Sequence, residues 1–243
     1  LTAAATRAVN EIVRAEEAVL TLMESRRTLV RMGQGTYSRY HWLPEFLSFV
    51  EDREPDLEID LVAQATHYPF TCLREGSVDV AVVYGPERKL PEFKAFPLGG
   101  DPLVAIMAPD HPLSDRPYIV AEDIVDERYI TYSLTPEPGF EWEAFLQPAG
   151  VLPRRLSRVQ LPEAIIDLVR AGFGISILSS WAVEPEVKDG TLVSIPLTEN
   201  GVTLEWWAVI RQSDADGSPA MRLAQSFVGW SRGVDGGMAT LGF

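Results

Sequence analysis

Apolar positions change their period once along this chain, and the change divides it. Between residues 3 and 26, Ala5, Val9, Ile12, Val19 and Met23 recur at helical spacing, with Val13 and Leu20 beside them, in a stretch without Gly or Pro. This predicts a long amphipathic helix whose apolar stripe needs cover. A second such helix in a coiled-coil-like dimer supplies it, and packing on the helix's own domain is the alternative.

From Thr28 the period shortens. Positions 29–33 predict a strand, and 41–53 a helix with Leu43, Phe46, Leu47 and Val50 on one side. Positions 57–62 alternate as a strand does, while Val78-Asp79-Val80-Ala81-Val82-Val83 is nearly continuous apolar, as in a parallel strand covered on both faces. This β-α-β-α-β order predicts right-handed crossovers and a doubly wound sheet. A second series follows, with strands at 103–107, 129–132, 157–160, 174–178, 192–195 and 205–210 and helices at 141–147, 162–171, 180–187 and 219–230. Two small α/β lobes fit this order better than one large sheet.

Composition narrows the function classes. With 243 residues, 46% of them hydrophobic, and a mean hydropathy of +0.01, the chain can bury a sizeable core. It has neither the ~18–20 continuous apolar residues of a membrane span nor the basic-then-apolar order of an export signal, so a cytoplasmic, membrane-free protein is expected. The one cysteine, Cys72, excludes an internal disulfide, and with His41, His67 and His111 it gives no metal-ligand spacing. No metal or other cofactor is expected. A formal charge of −14 argues against these residues wrapping a polyanion, because nucleic-acid affinity rests on Lys and Arg neutralising phosphates.

Catalytic signatures are missing too. Ser133, Ser179 and Ser180 sit in no nucleophile elbow, and Gly172-Phe173-Gly174 precedes a strand, which makes it a helix-to-strand turn rather than a phosphate loop. Glu16-Glu17 and Glu122-Asp123 fall on solvated faces. No enzyme is predicted.

Several segments resemble the effector-binding half of LysR-type transcriptional regulators. Leu1-Thr2-Ala3-Ala4 is similar to the Leu-Thr-x-Ala-Gly that joins that family's winged helix-turn-helix to its linker helix, with Ala in place of Gly. Trp42-Leu43-Pro44 through Phe49 and Pro55 resembles its first helix, and Glu75-Gly76-Ser77-Val78-Asp79-Val80-Ala81 its Gly-x-Leu-Asp-Leu-Ala segment. Asp110-His111-Pro112-Leu113 and Val169-Arg170-Ala171-Gly172-Phe173-Gly174-Ile175 complete the set. Five weak motifs in the family's order over roughly 170 of the 243 residues make a strong resemblance. Within the family, Trp42-Leu43, Ala108-Pro109-Asp110-His111-Pro112-Leu113 and Phe145-Leu146-Gln147-Pro148-Ala149-Gly150-Val151 resemble the methionine-biosynthesis branch, which responds to homocysteine. Positions 35–40 depart from that branch's Cys- and His-containing loop.

The resemblance implies two Rossmann-like lobes of the type 2 periplasmic-binding-protein kind, preceded by a linker helix. The strand order then suggests a linker or dimerisation helix at 1–28, lobe I at 29–99 and 206–233, lobe II at 100–205, and a flexible tail at 234–243. It also implies a small-molecule effector held in an interlobe cleft, homodimers or homotetramers, and DNA contact through an N-terminal winged helix-turn-helix cut away before Leu1. A periplasmic-type solute-binding protein is the competing class.

Ligands of open α/β sheets bind outside the carboxyl ends of strands. After the first strand, Gly35 allows close backbone approach, Thr36, Tyr37 and Ser38 offer hydroxyls, and Arg39 can pair with an acid. Thr36 and Ser38 serve equally well as helix N-caps, and Arg39 as a surface charge. After the second strand come Thr66, His67 and Tyr68; in the second series, Tyr132, Ser133 and Gln160 close strands. An aromatic lining from Tyr37, Tyr40 and Tyr68 favours a ring-bearing acid, whereas the resemblance favours homocysteine; Trp42 and Phe70 read as core. His111 reads as a local turn residue and the Trp206-Trp207 pair as packing at the second crossover.

Overall fold

The computed structural model describes residues 2–24, 27–85, 89–132 and 140–233. These residues form two compact units: one takes the chain up to Gly99 and again from Trp206, the other spans Gly100–Glu205.

In the first unit, helix α1 (Thr2–Glu24) precedes strand β1 (Thr28–Gln34), α2 (Leu43–Arg53), β2 (Leu57–Leu61), a 3-10 turn (Ala63–Thr66), α3 (Pro69–Glu75) and β3 (Val80–Tyr84). Strand β1 pairs in parallel with β2 and β3, and β3 pairs antiparallel with β9 (Val202–Arg211). Helix α6 (Pro219–Ser231) closes the unit. Strand alternation splits the core in two. Ala81 and Val83 face Leu73, Cys72 and Ala65 on the α3 side. Val30 and Met32 face the other side, where α2 and α6 pack together and Phe46 stacks on Phe227 with ring centroids 3.9 Å apart. Trp42 completes that aromatic group against Phe46, Phe227 and Trp230, and Phe70 packs on Phe93, so both are core residues.

Helix α1 lies against α3 and is pinned by Asn10, whose side-chain amide donates to the Glu75 carbonyl at 2.8 Å. Val9, Ile12 and Val13 stay exposed on it. No helix among the described residues is long and apolar enough to cross a membrane.

The second unit is built on the far end of a 15-residue strand, β4 (Phe93–Met107), with β7 (Ser176–Ser179) and β8 (Val193–Pro196) antiparallel to it. Strands β5 (Arg128–Thr131) and β6 (Arg155–Arg158) form a parallel pair. Helices α4 (Pro162–Arg170) and α5 (Ser180–Lys188) precede and follow β7. The helix expected at 141–147 is a single π-helical turn, Trp142–Leu146, widened so that the Gln147 N–H reaches the Trp142 carbonyl at 2.8 Å.

Three motifs of the sequence turn out to be scaffolding. Asp79 accepts the Arg31 N–H and the Arg211 guanidinium, at 3.0 and 2.8 Å, while Arg211 also donates to the carbonyls of Val78 and Leu73. One guanidinium thus ties the end of α3, β3 and β9 together. His111 accepts the Leu113 N–H at Nδ1 and places Nε2 3.4 Å from Glu127, closing the turn after β4. Gly172 ends α4 with φ +75°, and a Cβ on Gly174 would collide with the Arg128 carbonyl. The Gly-Phe-Gly segment is therefore a helix-to-strand turn packed on β5.

Candidate functional site

Three buried polar residues of the first unit, Gln34, Thr36 and Thr66, lie at the carboxyl ends of β1 and β2. Gly33 has no room for a side chain, because a Cβ there would sit 2.1 Å from the Ala65 Cβ, and this lets the 3-10 turn close onto β1. The Gly35 N–H donates to the Val82 carbonyl, and the Thr36 N–H donates to the Thr66 carbonyl, both at 2.8 Å. Thr36 adopts φ +70°, a left-handed conformation that a β-branched residue takes only when its surroundings impose it. Thr36 and Thr66 are both buried. Two hydroxyl-bearing residues from separate loops are thereby held together by backbone geometry.

The other predicted residues divide. Tyr37 is fully buried against Trp206, at 6.2 Å between rings. Ser38 is exposed and Arg39 half-buried on the loop that follows. Helix α2 starts at Leu43 with Trp42 in the N-cap position and no side-chain cap, so neither Thr36 nor Ser38 caps it, and the loop is longer than the sequence suggests. His67 and Tyr68 leave the 3-10 turn as exposed side chains with rings 6.2 Å apart, rather than joining the buried threonines.

In the second unit the carboxyl ends of β5 and β6 meet where the Val159 N–H donates to the Thr131 carbonyl at 2.9 Å. Tyr132 is buried and Gln160 exposed at these ends; Ser133 lies outside the described residues. Beside them Thr131 Oγ1 donates to the Glu141 carboxylate at 3.0 Å, both residues buried, with Glu141 opening the π-helical turn. At the start of α5, fully buried Asp101 accepts from Ser180 Oγ at 2.9 Å and from the Trp181 N–H at 3.4 Å, where the helix dipole favours a carboxylate. Among the described residues no group of His, Cys, Asp or Glu is placed to hold a metal ion.

Sequence reasoning missed four polar residues: Thr131, Glu141, Asp101 and Gln34. Glu141 carries a signal in retrospect, as a lone charge between Phe140 and Trp142. Asp101 carries only its place before Pro102. Gln34 lies one residue past the expected end of β1, 1% exposed, and neither its Nε2 nor its Oε1 has a hydrogen-bond partner.

Comparison with known proteins decides the family. The model of the LysR substrate binding domain matches residues 24–232. The chain belongs to the LysR family. Its sequence is 28% identical over 214 residues to the HTH-type transcriptional regulator MetR of Escherichia coli K12, covering 87% of this chain and 65% of that protein. It is 29% identical over 226 residues to the HTH-type transcriptional regulator CbbR of Sinorhizobium medicae, covering 92% and 71%. The regulatory domain of MetR from N. meningitidis superposes with a TM-score of 0.66 at 29% identity, covering 85% of this chain and 95% of that one. The fold is thus the type 2 periplasmic-binding-protein-like α/β fold of LysR effector-binding domains, the chain is MetR-like, and its relatives are regulators rather than enzymes. It spans under two thirds of the E. coli MetR length.

Proposed function

We propose that this LysR domain senses a small carboxylate metabolite, either a homocysteine-like amino acid or an aromatic acid, at the strand ends that carry Thr36 and Thr66. The observation that carries this reading is the buried pairing of these two loops, with Thr36 held at φ +70°. A non-Gly residue kept in that region by its neighbours is typical of ligand clamps. Gly35, Tyr37, Ser38, Arg39, His67 and Tyr68 surround the pair in the chain, and Tyr132, Ser133 and Gln160 are the contributions assigned to the second unit.

In the whole regulator, binding controls a winged helix-turn-helix that precedes α1, and α1 pairs with its counterpart in a homodimer or homotetramer. The exposed Val9, Ile12 and Val13 supply that contact. Coupling requires the effector to bind one arrangement better than another. Kinship with regulators favours this reading over a periplasmic-type solute-binding protein.

Titration calorimetry with L-homocysteine and benzoate tests it. At least one acid binds wild type, and Thr36→Ala and Thr66→Ala each weaken it roughly 5- to 10-fold, the worth of one hydrogen bond. Equal affinity in all three proteins refutes the assignment.

A further inference from the structure

Gln34 has no structural reason to be polar. It ends β1 in register with Val82, and strand alternation puts it on the face of Val30 and Met32 that α2 and α6 cover. Beyond Val82 on that face, Tyr84 and Trp206 pair across β3 and β9, and Tyr37 packs on Trp206. Gln34 is 1% exposed on the same face of the sheet, with its amide donor and acceptor both unsatisfied. Buried amides are ordinarily hydrogen-bonded, and an orphan one is costly, whereas Met would fill the same volume without cost. The orphan amide lies two residues before Thr36, at the same strand end as the threonine pair.

We infer that Gln34 is a specificity residue of the effector site, its amide taking a ligand group that donates and accepts side by side. This rests on the sensing role proposed above and adds to it. A carboxamide Nε2 donates and Oε1 accepts, so a benzoate carboxylate, which only accepts, satisfies half of the group. An α-amino acid or an amide satisfies both.

The test compares wild-type chain with Gln34→Met, Gln34→Asn and Thr36→Ala by calorimetry and melting, using L-homocysteine and benzoate as probes. Wild type is expected to bind L-homocysteine more tightly than benzoate. Gln34→Met is expected to melt about 2–4 °C higher without ligand, because the orphan amide is gone. It is expected to bind L-homocysteine at least about ten-fold more weakly, since the ligand's own polar groups are then left unpaired. Gln34→Asn, which withdraws the amide by one methylene, shows the same weakening should the Met variant fold poorly. L-homocysteine affinity unchanged within two-fold in both variants, but lost in Thr36→Ala, overturns the role of Gln34 and leaves the sensing reading standing. Preference of wild type for benzoate overturns the donor-and-acceptor requirement. Binding of neither acid by wild type overturns both readings.

Discussion

Gly33→Ala perturbs the contact on which the candidate site depends. The new methyl would lie 2.1 Å from the Ala65 Cβ and 3.2 Å from the Val62 carbonyl oxygen, where ordinary contact begins at 3.4 Å, so β1 and the 3-10 turn must part by about 3.4 − 2.1 = 1.3 Å. Both neighbours are stiff: one is a Cβ with no rotamer to escape to, the other is backbone. Overpacking of this kind costs about 1–3 kcal/mol. A 1.3 Å displacement also breaks the 2.8 Å bond from Thr36 N–H to the Thr66 carbonyl, adding about 1–2 kcal/mol. The sum, about 2–5 kcal/mol, corresponds to a fall in Tm of about 5–15 °C for a chain of this length. Gly172→Ala is the control, since nothing lies within 4 Å of its Cβ and only the strain of φ +75° remains, about 1 kcal/mol. Urea denaturation of both variants reads the difference. Equal losses, or a Gly33→Ala protein that melts within about 2 °C of wild type, would refute the close approach of the two loops.

Further outcomes follow from the same geometry. Thr36→Gly relieves the left-handed strain and raises stability by about 1 kcal/mol in thermal melts while weakening effector binding. Hydrogen bonding to Arg222 holds the Asp56 carboxyl below its ordinary 3.8, so its stabilising contribution is present above pH 3.8 and lost as pH falls through the depressed value. Asp56→Asn therefore lowers the melting temperature at about pH 7–8, where the carboxylate's contribution is complete, and the gap to wild type closes as pH falls below about 4. Burial raises the Cys72 thiol above 9.0, so the folded state favours the protonated form, and stability is lost as pH rises through the raised value. A thiol reagent at about pH 8 then labels the native protein far more slowly than the urea-unfolded one. Phe46→Ala removes the stacked ring from the α2–α6 core and costs about 3–5 kcal/mol by urea denaturation.

Strand ends were more legible than side-chain environments. Periodicity located β1, β2, β3, α4 and α6 to within a few residues because each has one clearly apolar face or a nearly continuous apolar run. It failed on the first part of β4, where Pro97, Gly99, Gly100 and Pro102 read as breakers. These residues occur in a strand whose length carries the chain from the first unit into the second, where Gly100 leaves space for Thr203. The helix expected at 141–147 has the right apolar spacing but opens on buried Glu141, and only a π-helical turn forms. Thr36 and Thr66 could be chosen because both follow strands. Gln34 and Thr131 could not, because burial of a polar side chain depends on what the rest of the chain brings over it.

The motifs that identify the family and the residues proposed to choose the ligand are different residues. Asp79 is consumed by Arg31 and Arg211, His111 by Leu113 and Glu127, and Gly174 by its approach to Arg128. Each satisfies a backbone or packing requirement of the fold, which leaves the choice of ligand to other residues. The Gln34 amide satisfies no such requirement, and Thr36 makes its backbone bond to Thr66 in a strained conformation: both make the ligand-free protein less stable than the Gln34→Met and Thr36→Gly variants are expected to be. Polar and strained choices at positions where apolar and flexible ones fit better are what a ligand-binding role asks of a sequence. The same logic explains why the departure from the methionine-regulator loop at positions 35–40 leaves the family assignment untouched, since those positions belong to the proposed effector site and not to the family's motifs.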